Sequence, residues 1–139
     1  MYVLDTDHMS TLERGGSNAL LLATKLSPIA DSQIATTIIT YEEQCRGWLA
    51  KTAKETGPAL IRAYTQLAKH LHVYSSITVL QYDERAYEIF LELQQHKFRI
   101  GTQDLKIASI VLANDSILLT RNTRHFEKVS NLRIDDWTV

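Results

Sequence analysis

Tyr2-Val3-Leu4-Asp5-Thr6-Asp7-His8 sets three strand-forming apolar residues before an acidic turn, and a helical pattern starts near His8. The same order recurs further on. Ile34 to Ile39 is β-branched and apolar, as a buried central strand requires, and Thr40-Tyr41-Glu42-Glu43 leads from it into a helix reaching Lys54. Strands that alternate with helices pair in parallel through right-handed crossovers and carry helices on both faces. The spacing therefore predicts an α/β fold, a three-layer α/β/α sandwich with a mainly parallel central sheet.

Outward from these two units, Gly15-Gly16 separates two short helices and Gly57-Pro58 opens another, whose stripe runs from Leu60 to Leu71. Leu71 to Tyr74 reads as a third strand, and Asp83 to His96 as an amphipathic helix. The helix from Gln103 to Asn114 is apolar on more than one face and should be central. Ile117 to Thr120 is a fourth strand, and Leu132 to Ile134 a short final one.

With 139 residues, 45% hydrophobic and 22% charged, the chain is sized and composed for one globular domain spanning 1–139. A net charge of -1 excludes broad phosphate neutralisation, so any grip on nucleic acid must be local. No apolar run approaches the roughly 20 residues a membrane span needs, and no basic region precedes the first strand. The expectation is a cytoplasmic protein. Cys45, the single cysteine, reads as a buried structural thiol, and the five histidines, lacking ligand spacing, read as surface or packing residues.

Ligands in open parallel sheets bind beyond the carboxyl ends of the strands, and acids gather there. Asp5 follows the first strand, with Asp7 either capping the helix from His8 or adding charge beside it. After the second strand, Thr40 and Glu43 fit a capping box, which assigns Glu43 to structure and leaves Glu42 for chemistry. Asp104 lies in the first turn of the central helix behind Thr102 as cap. Thr120 and Asn122 supply a hydroxyl and an amide after the fourth strand, Asn122 serving equally well as a cap for the turn from Thr123. Convergence of Asp5, Glu42 and Asp104 would need cations to offset repulsion, and all-oxygen ligation favours Mg²⁺ or Mn²⁺ over Zn²⁺.

These segments, Tyr2 to Asp7, Thr40-Tyr41-Glu42, Ile100 to Asp104, Leu119 to Phe126 and Leu132 to Trp137, resemble in order the PIN-domain nucleases, and within them the VapC-type toxins. The resemblance implies a Mg²⁺ or Mn²⁺ endoribonuclease whose metal is held by Asp5, Glu42 and Asp104. It implies too a homodimer and a cognate antitoxin that inserts a segment near the site. Asn122 stands at a position the family fills with aspartate or asparagine, and Asp7 where many relatives have asparagine. On this reading Asn122 and Thr120 order the water around the metal, and water attacks phosphorus to leave a 5′-phosphate. Arg46, Arg99, Lys106, Arg121 and Arg124 are candidate phosphate contacts on an exposed RNA loop or single strand.

Two other functions fit parts of the pattern. Asp5-Thr6-Asp7 after a strand resembles the nucleophile and acid/base pair of haloacid-dehalogenase phosphatases, but the later lysine and acidic motif are missing and the chain is short. A non-catalytic module binding RNA or protein would gain nothing from concentrated negative charge.

Overall fold

In the computed structural model, which describes residues 1–139, five strands form one sheet in the order β3-β2-β1-β4-β5, every neighbouring pair parallel. The strands are β1 (Tyr2–Leu4), β2 (Ile34–Thr37), β3 (Thr78–Leu80), β4 (Ile117–Leu119) and β5 (Arg133–Asp135). Helices α1 (Thr6–Arg14) and α2 (Ser17–Leu26) join β1 to β2, and α3 (Ile38–Lys54) and α4 (Gly57–Ser76) join β2 to β3. Next, α5 (Glu84–Gln95) and α6 (Thr102–Ala113) cross back to β4, and α7 (Thr123–Phe126) leads to β5. This is the α/β/α sandwich that the alternation predicts.

Strand periodicity divides the core in two. Val3, Ala35 and Leu118 point to one face and pack with Phe90 of α5, Ile107 and Ile110 of α6, and Phe126 of α7. Their neighbours Leu4 and Leu119 point to the other face, where Met9 of α1 and Tyr74 of α4 cover them. Each large apolar side chain so buried contributes about 1.5–3 kcal/mol. Leu105 and Ile107 to Val111 are all buried, so α6 is the enclosed helix its sequence implies. No helix is long and apolar enough to cross a membrane.

Four local expectations are overturned. Leu71 to Tyr74 is not a strand but the end of α4, because the buried stripe Ala63, His70, Tyr74 keeps helical spacing and no turn residue interrupts it before Ile77. β3 forms seven residues later than expected, at Thr78–Leu80. Helix α3 starts at Ile38, not after Thr40, because the Thr37 hydroxyl accepts the Thr40 N–H at 3.1 Å and is the cap. Likewise Asp5, not Asp7, caps α1, its Oδ1 accepting the His8 N–H at 2.9 Å, and Gly101 rather than Thr102 stands at the α6 cap position.

Candidate functional site

The sheet order reverses direction at β1, which has β2 on one side and β4 on the other. A crevice opens beyond such a switch point, because the connections leaving the two strands diverge. Asp5 stands at the end of β1, the Asp5 N–H bonding the Leu119 carbonyl of β4 at 3.0 Å. Thr120 follows β4, fully buried, and its hydroxyl accepts the Asn122 N–H at 2.9 Å. That turn aims the Asn122 amide at α6, where it donates to Asp104 Oδ2 at 3.3 Å and to His125 Nδ1 at 2.9 Å. Asn122 occupies the cap position of α7 without making a cap hydrogen bond, so its side chain is free for these partners.

The carboxylates sense one another. Burial raises the Asp104 pKa, and the charges of Asp5 and Asp7 raise it further, against relief from His125 and Asn122. Asp7 is also raised, by desolvation first and the Asp5 charge second, with Arg121 opposing. Glu43 is raised by burial, and then, against the Thr6 hydrogen bond, by Asp104, Asp5 and Asp7. The Thr6 hydroxyl donates to Glu43 Oε1 at 2.9 Å, which turns that carboxylate toward the end of β1.

Glu43 is therefore the α3 acid that joins Asp5 and Asp104, and Glu42 is not. Adjacent helical positions point about 100° apart, so a helix starting at Ile38 turns residue 43 to the sheet edge and residue 42 away from it. Glu42 instead accepts from Gln103 Nε2 at 2.8 Å and from Arg46 at 2.9 Å. It borders a separate, mostly apolar depression with Ile38, Tyr82 and Lys106. The capping-box reading that set Glu43 aside fails because Thr37 does the capping.

All four acids offer hard oxygen donors with no sulfur or imidazole among them, a donor set suited to a hard divalent cation. No three of them stand at ion-ligating spacing in the structure. Of the basic residues singled out, Arg121 is near enough for its charge to oppose the rise of the Asp7 pKa, Arg46 is bound to Glu42, and Lys106 sits in the depression beside that pair. Arg99 and Arg124 are exposed.

Two histidines set aside as packing residues lie at the site. His125 contacts Asn122, and His8 is completely buried behind Asp5. The i,i+3 spacing of Asp5 and His8 across a helix start was the available signal for the second.

The family model described as the PIN domain matches residues 2–132. Over 139 residues the chain is 26% identical to ribonuclease VapC1 of Haemophilus influenzae strain R2866, covering 99% of this chain and 98% of that protein. Among solved structures it is similar to VapBC-1 from nontypeable Haemophilus influenzae, with a TM-score of 0.79 at 22% identity over 99% of this chain and 98% of that one. It is similar also to a toxin-antitoxin complex from Klebsiella pneumoniae, with a TM-score of 0.72 at 20% identity over 99% of this chain and 98% of that one.

Proposed function

Since this chain belongs to the PIN-domain family, we propose that it is a divalent-metal-dependent endoribonuclease, the toxin half of a toxin–antitoxin pair. Residues 1–139 act as one nuclease domain in the cytoplasm, as a homodimer, and a cognate antitoxin neutralises it. The full-length likeness to a VapC ribonuclease supports the reaction, and the likeness to a toxin-antitoxin complex supports the partner.

The observation that carries the reading is the gathering of Asp5, Asp7, Glu43 and Asp104 where β1, α3 and α6 meet, with Thr6 holding Glu43 and Asn122 holding Asp104, so closely that the Asp5 charge helps to raise the pKa of the other three. Folding places that charge in a partly desolvated crevice at a cost, and a cation offsets it. Asp5, Glu43 and Asp104 would hold Mg²⁺ or Mn²⁺, which when bound supplies Lewis-acid activation of water and neutralises charge at phosphorus.

The chain's own groups prepare the site. Thr6 fixes Glu43, Thr120 fixes the Asn122 turn, and Asn122 holds Asp104 by Oδ2 alone, which leaves Oδ1 without a hydrogen bond. Arg121, exposed beside Asp7, is placed to meet a phosphate entering from solvent. Single-stranded or looped RNA suits an open crevice of this kind better than a regular duplex.

The deciding experiment is cleavage of RNA by purified protein with Mg²⁺ or Mn²⁺, with and without chelator, beside an Asp104→Asn variant. Cleavage that needs the cation and Asp104 is expected. Cleavage that persists in chelator would overturn the assignment.

A further inference from the structure

His8 is buried in α1, 0% exposed, and every polar contact it makes leads either to Asp5 or to the segment after β5. On one side, the backbone N–H of Trp137 donates to His8 Nε2 at 3.3 Å. A ring nitrogen that receives an N–H must present its lone pair, so the ring proton resides on Nδ1. On the other side, Nδ1 makes no hydrogen bond, and Asp5 Oδ1 lies 3.5 Å from it. A buried N–H needs an acceptor, and Asp5 is the one it faces.

Asp136 completes the arrangement from behind. Its Oδ1 lies 3.7 Å from His8 Nε2 but is already engaged by the Thr138 N–H at 2.9 Å and the Thr138 hydroxyl at 2.6 Å. It therefore anchors the Asp136-Trp137-Thr138 turn rather than taking a proton from the ring. Tyr2 packs against the Trp137 ring at 4.7 Å and holds the same turn against β1.

We propose that His8 is a positioning residue for Asp5, locked in its Nδ1–H tautomer by the Trp137 backbone. Asp5 Oδ1 already accepts the His8 backbone N–H at 2.9 Å, and the ring N–H approaches the same oxygen. Both donors of residue 8 are thus directed at Oδ1, one bonded to it and one 3.5 Å away, and Oδ2 carries no hydrogen bond. The turn after β5 sets the orientation of a carboxylate at the end of β1. This inference rests on Asp5 being a cation ligand, as proposed above. Groups that orient a ligand in this way commonly change metal affinity by about 10–100-fold when removed.

Two measurements test it. Nitrogen NMR of ¹⁵N-labelled protein should show His8 as a neutral ring protonated on Nδ1, and an Nε2–H ring would overturn the proposal whatever the variants do. Calorimetric titration with Mn²⁺ then compares the parent with His8→Asn, whose amide reproduces the Nδ1 donor, and His8→Gln, whose amide reaches the Nε2 position instead. The expected result is near-parent affinity for His8→Asn and binding about 10–100-fold weaker for His8→Gln, in proteins that still melt cooperatively. Parent-like Mn²⁺ affinity in His8→Gln would remove the positioning role alone. A parent that binds no Mn²⁺ would bring down the reading of the acidic site and this inference with it. Should both variants fail to fold, the tautomer measurement decides.

Discussion

Thr6 donates its hydroxyl to Glu43 across 2.9 Å, tying the first turn of α1 to the second turn of α3 and pointing the glutamate at Asp5 and Asp104. Glu42, one residue earlier, is tied to Gln103 and Arg46 instead. Glu43→Gln should therefore reduce cation-dependent RNA cleavage to background, and Glu42→Gln should keep most of it. The Glu42–Arg46 pair is exposed and contributes only about 0.3–0.5 kcal/mol, so Glu42→Gln should melt like the parent. The reverse pattern of activities would return the role to Glu42.

The raised pKa values of Asp7, Glu43 and Asp104 make a prediction about stability. A carboxyl whose folded pKa lies above its unfolded value binds protons more tightly when folded. Each such group therefore costs stability at neutral pH, and the cost fades as pH falls through its folded pKa. Without added cation, Glu43→Gln should melt higher than the parent at pH 7, and the gap should narrow toward pH 4. Mn²⁺ at a hundred times its dissociation constant should stabilise the parent by about 2.7 kcal/mol and stabilise Glu43→Gln far less. Melting curves with and without Mn²⁺ read both effects.

His70 makes the opposite pH prediction. Burial lowers its pKa, with Glu13 opposing, so the folded state favours the neutral ring. Stability from this group is complete above the unfolded value of about 6.5 and is lost as pH falls below it. Denaturant titrations at pH 7.5 and 5.5 should show a larger loss for the parent than for His70→Phe. Equal losses would mean that His70 takes up a proton without strain.

Phe126 is 1% exposed on α7, four residues after Asn122, and packs into the core shared by α5 and α6. Phe126→Ala should destabilise the protein by about 3–5 kcal/mol. Phe126→Leu should cost less but loosen the turn that presents Asn122 to Asp104. Reduced cleavage with a melting temperature only a few degrees below the parent's is the outcome expected of Phe126→Leu.

Much of the arrangement is legible in the sequence itself. The arrival of Asp5, Asp104, Thr120 and Asn122 at one edge follows from their places just after strands or at a helix start, which parallel topology brings together. Glu43 was not legible in the same way. Thr36, Thr37 and Thr40 are all competent caps, and choosing among them moves the helix start, so that each residue of error swings the following side chains by about 100°. Leu71 to Tyr74 failed for a related cause: a four-residue apolar run satisfies strand and helix alike, and burial of Tyr74 against Leu4 and Leu119 decides for the helix. The His8 contact with Trp137 joins distant parts of the chain, and no local pattern announces it.

The register that pairs Val3 with Leu118 has a bearing on synthesis. β1 is synthesised well before its β4 neighbour and the residues that complete the crevice. Contacts so far apart in sequence form slowly and late. A nascent chain therefore carries Asp5 and Glu43 before Asp104 and Asn122 have been added. The acidic crevice is therefore assembled only once β4 and the turn that carries Asn122 have joined β1.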